Sequence, residues 1–134
     1  MTQKEKLSQF YDEAVDFFLS TVDGDIPRCR PLGLQRLYEG EIYYGIGDFK
    51  KVYQQMQVNP RVEIVALKGM TWVRVNGTAV FDSDDIPIRA EILKTFPMKK
   101  IYEENGWKLK LFHLVDVDVQ YIDIMTVKES FHLD

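Results

Sequence analysis

The chain has 134 residues, 46% of them hydrophobic and 28% charged, and carries a net charge of −4. That size suits one domain spanning residues 1–134 around a single core. The acidic balance argues against a general nucleic-acid binder, which carries a basic surplus, and no apolar run approaches the ~20 residues of a membrane span.

The opening Met1-Thr2-Gln3-Lys4-Glu5-Lys6 lacks the apolar stretch and small-residue cleavage site of a signal peptide. Cys29 is the one cysteine and has no internal disulfide partner. Both features point to a cytoplasmic protein. Residues 3–16 place Leu7, Phe10, Tyr11, Ala14 and Val15 at helical spacing and predict an amphipathic helix. Phe17 to Val22 reads as a strand, and Asp23-Gly24-Asp25 as a turn. One extended run follows from Pro27 to about Tyr38, then a turn at Glu39-Gly40 and a strand from Glu41 to Ile46. A helix enters at Asp48 and runs to Val58, where Asn59-Pro60 stops it.

Val62 to Leu67 predicts a strand, and Lys68-Gly69 a turn. From Thr71 to Phe81, Trp72, Arg74 and Asn76 alternate with Val73, Val75 and Gly77, the period of a strand. Asp82-Ser83-Asp84-Asp85 has the side chains of a helix N-cap for a helix near 86–95. Phe96-Pro97 breaks it, and a short helical turn reaches Glu104 before Asn105-Gly106. Leu109 to Val127 is mostly strand, with Val115, Val117 and Val119 set against Asp116, Asp118 and Gln120. About six strands joined by short turns predict an antiparallel sheet or barrel with flanking helices. No internal repeat or low-complexity tract divides the chain.

The segment richest in chemistry is Gly45-Ile46-Gly47-Asp48-Phe49-Lys50-Lys51. It joins a strand to a helix, and a helix N-terminus offers unpaired N–H groups and partial positive charge to a phosphate. Lys50 and Lys51 either hold that phosphate or are solvated helix charges. Arg28 and Arg30 share one face of a strand, flanking Cys29. They either contact an anion, for which the guanidinium fork is suited, or pair across strands with carboxylates. Cys29 is either a small buried hydrophobe or, between two arginines, a reactive thiolate. His113 and His132 lie far apart, and with one cysteine no metal site is expected. No nucleophile elbow, P-loop or dinucleotide fingerprint occurs.

Four segments in order carry a further signal. They are Leu19-Ser20-Thr21-Val22-Asp23-Gly24-Asp25-Ile26-Pro27-Arg28-Cys29-Arg30-Pro31, then Ile42 to Lys51, then Asn59-Pro60-Arg61-Val62-Glu63-Ile64, then Trp72-Val73-Arg74-Val75-Asn76-Gly77-Thr78-Ala79. Together they resemble the pyridoxamine 5′-phosphate oxidase-like, FMN-binding split-barrel family over roughly Phe17 to Ile124. The resemblance implies a mainly β, α+β fold: a six-stranded antiparallel split β-barrel with flanking helices. It also implies a homodimer with FMN at the interface.

By the resemblance, the strand beginning at Arg30 lays Pro31, Leu32, Gly33, Leu34 and Gln35 along the flavin. Gly45, Ile46 and Gly47 meet the ribityl chain and phosphate, and Lys50, Lys51 and Arg28 supply positive charge. Counted back from Asn59-Pro60, the family's second basic position falls on Val52, so Lys50 stands in for that contact. Trp72 falls near the family's glutamine beside the ring, and Arg74 and Trp107 complete the expected cofactor set. The oxidase proper carries a further C-terminal segment with pyridoxal-phosphate contacts. This chain ends at Asp134, so the resemblance implies an FMN-dependent oxidoreductase rather than that oxidase. Its small-molecule substrate or electron donor is not specified by sequence, and neither is any catalytic side chain. Two other readings remain open. One is a non-catalytic flavin-binding or electron-carrying protein. The other is a binder of another anionic cofactor: haem, pyridoxal phosphate or a deazaflavin.

Overall fold

A computed structural model describes residues 1–123 and 126–134. Ile124, where the family-like stretch ends, and Met125, inside the expected last strand, lie outside the described residues. The elements run α1 (Gln3–Ala14), β1 (Phe17–Asp23), β2 (Ile26–Leu32), β3 (Gln35–Tyr38), β4 (Glu41–Gly47), α2 (Lys51–Val58), β5 (Arg61–Lys68) and β6 (Thr71–Phe81). They continue with α3 (Pro87–Lys94), α4 (Lys99–Asn105), β7 (Leu109–Asp123) and β8 (Thr126–Leu133).

All pairings are antiparallel, in the order β2-β1-β5-β6-β7-β4-β3, with β8 added on β7. The sheet curls into a half-barrel, a split-barrel arrangement. The described residues hold eight strands rather than the six expected. Two causes account for the difference. The run from Pro27 to Tyr38 is two strands broken at Gly33-Leu34, and the expected last run, Leu109 to Val127, holds β7 and the start of a further strand, β8, that continues to Leu133. The break matters for function. β2 pairs with β1 at one end of the sheet and β3 with β4 at the other. Gly33-Leu34 therefore carries the chain across the mouth of the half-barrel.

Helix α1 starts as read, with Thr2 Oγ1 accepting from the Glu5 N–H at 3.1 Å. It stops two residues before the expected end. Val15 adopts φ 71, ψ −55, and the Asp16 N–H bonds to Ala14 O at 2.8 Å, a tight γ-turn that aims Phe17 into the core. Helix α3 starts at Pro87, whose fixed φ suits a first helical turn, with no side-chain cap. Two of the carboxylates expected to cap it, Asp82 and Asp84, bind other partners instead. Asp82 meets His113 Nδ1 at 3.0 Å, and Asp84 meets Lys110 Nζ at 3.0 Å.

The alternation expected in β7 holds from Val117 onward and fails before it. Asn76 pairs with Asp118 but Thr78 pairs with Val115, so Asp116 and Val117 oppose Gly77 alone. Asp116 has φ 54, marking a β-bulge that moves Val115 off the face of Val117 and Val119. A Cβ on Gly77 would lie 3.1 Å from Val115 O, so glycine is what lets the bulged backbone approach.

Two cores result. The larger packs α1 and α2 against the sheet through Leu7, Tyr11, Val52, Met56, Leu19, Ile64, Val73, Val75 and Phe112. The smaller packs Ile88, Ile92 and Tyr102 of the α3–α4 segment on Leu109 and Leu111. Each such side chain removed from water contributes roughly 1.5–3 kcal/mol.

The large core contains a buried hydroxyl pair, Tyr11 and Tyr44, 2.9 Å apart. Burial holds both phenols above their ordinary pKa. A raised phenol contributes stability that is complete below its unfolded value near 10 and is lost as pH rises through the folded value. Urea midpoints will therefore be flat up to about pH 9 and fall above it, by about 1.4 kcal/mol per pH unit for each tyrosine. Tyr44→Phe will cost roughly 1–3 kcal/mol at pH 7 by stranding the Tyr11 hydroxyl. The double Phe variant will be near neutral there and show a shallower alkaline fall. An unchanged alkaline slope in the double variant would refute the assignment.

Candidate functional site

The crossover at Gly33-Leu34 and the end of β4 meet at a cleft of about 300 Å³. Its walls bring together nine residues singled out from sequence: Arg30, Pro31, Leu32, Gly33, Leu34, Gly45, Ile46, Gly47 and Lys50. The Gly45 N–H donates to Leu34 O at 3.2 Å and fixes one wall to the other. A Cβ on Gly45 would stand 2.4 Å from Leu34 Cδ2, and one on Gly47 would stand 2.7 Å from the Tyr102 hydroxyl. Close approach, not an unusual backbone angle, favours glycine at both positions, more strictly at Gly47, where the neighbours are packed rings, than at Gly45, where the nearest is the end of a flexible leucine.

Two cationic side chains, Lys50 and Arg30, line the cleft. Lys50 occupies the N-cap of α2 with extended φ −83, ψ 149, and its side chain makes no capping bond. The Lys51 and Val52 N–H groups therefore carry a partial positive charge with no side-chain oxygen on them, while the Tyr53 N–H bonds to Lys50 O at 3.1 Å. Lys50 makes no ion pair among the described residues, and its Nζ lies 5.9 Å from the Phe49 ring centre. Asp48, the acid next to it, is turned away: its Oδ1 accepts from the Lys108 N–H at 2.9 Å and its own N–H donates to Lys108 O at 2.9 Å. Arg30 reaches back from β2 over β1. Its Nη1 donates to Thr21 Oγ1 at 2.7 Å and Leu19 O at 3.2 Å, and its Nη2 donates to Gln55 Oε1 at 2.9 Å. Burial lowers the guanidinium's pKa, a desolvation cost that a bound anion would offset.

The opposite wall is apolar and was not singled out from sequence. Phe96-Pro97-Met98, between α3 and α4, faces the cleft with Tyr102, Leu109, Leu19 and Val52. Behind Tyr102, Phe49 and Trp107 stack with ring centres 3.8 Å apart, and Tyr102 meets both edge-on at 5.4 and 6.0 Å. Burial, with the nearby Asp48 charge second, raises the Tyr102 pKa. The Phe-Pro break was a visible marker of this wall, but nothing local tied it to residues fifty positions earlier.

The other six residues expected to contact the cofactor lie outside the cleft. Arg28 is exposed and pairs with Asp23 at 3.2 Å, the cross-strand reading. Gln35 donates to Asp12 at 2.8 Å and bonds to Ser8, tying β3 to α1. Lys51 points to a separate depression with Asp23, Gln54 and Val58. Arg74 stacks over Trp72 at 4.9 Å on the β5–β6 face and pairs with Glu63 at 3.7 Å. Trp107 is the partner of Phe49 behind the wall. Cys29 is exposed on β2, not the buried hydrophobe of one reading, because β2 lies at the sheet edge. Among the described residues no cluster of metal-ligating side chains occurs, and no helix is long and apolar enough to cross a membrane.

The comparisons with known proteins agree with this geometry. No curated protein matches the chain. A NimC/NimA family protein of Clostridium acetobutylicum is 28% identical with a TM-score of 0.84, covering 99% of this chain and 95% of that one. Two more distant structures share the fold. HutZ, a haem storage protein of Vibrio cholerae, is 16% identical with a TM-score of 0.59, covering 85% of this chain and 89% of its own. An FAD-binding protein of Mesorhizobium loti is 15% identical with a TM-score of 0.58, covering 92% and 96%. The profile described as pyridoxamine 5′-phosphate oxidase matches residues 3–126, nearly the whole chain. With the split-barrel sheet and the cleft at its mouth, that match places the chain in the pyridoxamine 5′-phosphate oxidase family.

Proposed function

We propose that the chain is an FMN-dependent oxidoreductase acting as a cytoplasmic homodimer, with FMN held at the interface. One observation carries the reading. Arg30 and Lys50, the latter at the uncapped start of α2, both line a cleft whose remaining walls are mainly glycine and apolar side chains. That donor set fits a phosphate monoester at the two cations and a flat, largely apolar ring system against the other walls. When bound, the flavin supplies hydride transfer at its N5. The protein's residues supply placement. Arg30 and Lys50 hold the phosphate, Gly45 and Gly47 let the backbone come close, and backbone N–H groups of residues 32–35 offset negative charge on the reduced ring. Tyr102, Phe96 and Leu109 exclude water from the apolar walls.

One of the structures that share the fold is described as a haem storage protein. Haem needs an axial ligand, and neither histidine lines the cleft: His113 bonds to Asp82 and His132 to Asp118. That disfavours haem here.

The test is spectroscopic. Purified protein mixed with FMN will show a shifted, vibrationally resolved flavin band near 450 nm that survives gel filtration. NADH or NADPH will bleach it anaerobically, and light scattering will give the mass of a dimer. Colourless protein that takes up no FMN overturns the cofactor reading. Bound FMN that no donor reduces leaves a non-catalytic flavin carrier.

A further inference from the structure

We infer that Thr21 and Gln55 are positioning residues that hold Arg30 at the cleft while leaving its charge available for a phosphate. This inference rests on the flavin reading above. Thr21 is 3% exposed, one of two buried polar side chains described, and its place in β1 gives no local reason for a hydroxyl. Its hydroxyl donates to Gln55 Oε1 at 2.6 Å. A hydroxyl has one proton, so Thr21 Oγ1 meets Arg30 Nη1, at 2.7 Å, only as an acceptor. Gln55 Oε1 also accepts from Arg30 Nη2 at 2.9 Å. The remaining contacts of the guanidinium are the Leu19 and Arg28 carbonyls at 3.2 and 3.3 Å.

Every acceptor on Arg30 is therefore neutral. Three other arginines behave differently. Arg28 pairs with Asp23, Arg74 with Glu63 and Arg89 with Asp84. A guanidinium whose job is only to tie β2 to β1 would be served better by a carboxylate, which would repay its desolvation. Neutral oxygens fix its place without neutralising it. The fork has five N–H groups. Nη1 and one Nη2 proton are taken, which leaves the Nε–H and one Nη2–H for a ligand. Gln55 sits one turn along α2 from Lys51, so the helix whose N-cap is Lys50 also supplies this acceptor.

The discriminating variant is Gln55→Glu, which keeps size and acceptor geometry but puts a carboxylate on Arg30. A companion, Thr21→Val, keeps shape and removes the hydroxyl. FMN and riboflavin affinities, by flavin fluorescence titration, are compared with thermal midpoints. The inference expects Gln55→Glu to keep or raise the midpoint, to weaken FMN about 10- to 100-fold, and to leave riboflavin unchanged. Thr21→Val is expected to weaken FMN about tenfold, again sparing riboflavin. An FMN-to-riboflavin ratio equal to wild type in Gln55→Glu overturns the positioning role while wild-type FMN binding stands. Wild-type protein that binds FMN no better than riboflavin overturns the phosphate reading itself, and the positioning role falls with it.

Discussion

Arg30→Ala will lower FMN affinity by about 100-fold while leaving riboflavin binding within about threefold of wild type. The physical basis is the loss of a charge-assisted contact to the phosphate, of order 1.5–3 kcal/mol. The substitution also removes the guanidinium's bonds to Thr21 Oγ1, Gln55 Oε1 and Leu19 O, while the Thr21–Gln55 bond remains. That adds roughly 1–3 kcal/mol of destabilisation, seen as a lower urea midpoint. The two effects separate cleanly because riboflavin lacks the phosphate but needs the same fold. Arg30→Lys will recover part of the affinity, since a lysine carries the charge without the fork that Gln55 and Thr21 grip. Equal losses for FMN and riboflavin in Arg30→Ala would mean that Arg30 only braces the sheet.

Gly47→Ala comes next in size and acts through packing. The added methyl would stand 2.5 Å from Phe49 Cε1 and 2.7 Å from the Tyr102 hydroxyl. Neither neighbour is free to yield. Phe49 is stacked on Trp107, and Tyr102 is wedged edge-on against Phe49, Trp107 and Phe96. Overpacking of this kind costs roughly 1–3 kcal/mol. It will also push Tyr102 off the cleft wall, so flavin and riboflavin affinities will fall together. Thermal unfolding and the same titration measure both. The matching change at Gly45 will be milder, because the nearest atom there is the end of the flexible Leu34 side chain. A Gly47→Ala protein with wild-type midpoint and affinity would show that the aromatic wall rearranges freely, contrary to its packing.

These predictions depend on contacts that differ greatly in how far apart in sequence their members lie. The Gly45–Lys51 side of the cleft was legible early because its parts are local. Two glycines, a strand end and a lysine at a helix start occupy Gly45 to Lys51 as one run. Which lysine faces the cleft was not legible. Lys50 and Lys51 are adjacent, and their directions depend on where the helix begins; with α2 starting at Lys51, Lys50 is the N-cap that borders the cleft. The apolar wall was illegible for another reason. Phe96-Pro97-Met98 and Tyr102 reach the cleft only because α3 and α4 pack on Leu109 and Leu111.

Sequence alone determined the elements whose signals are periodic and near at hand. The alternation through Thr71–Phe81 and the amphipathic face of α1 are consequences of backbone geometry within one segment. The order of family-like segments likewise settled the fold class. Tertiary structure decided what depends on pairing between distant segments. The break at Gly33-Leu34 sends β2 and β3 to opposite ends of the sheet. The bulge at Asp116 opposite Gly77 changes which face of β7 is buried. The neutral cradle of Thr21 and Gln55 draws on a strand and a helix more than thirty positions apart. A side chain's chemistry is local, but whether its charge is neutralised depends on which neighbour the fold delivers. Arg28 received a carboxylate and Arg30 did not, though they lie two residues apart on one strand.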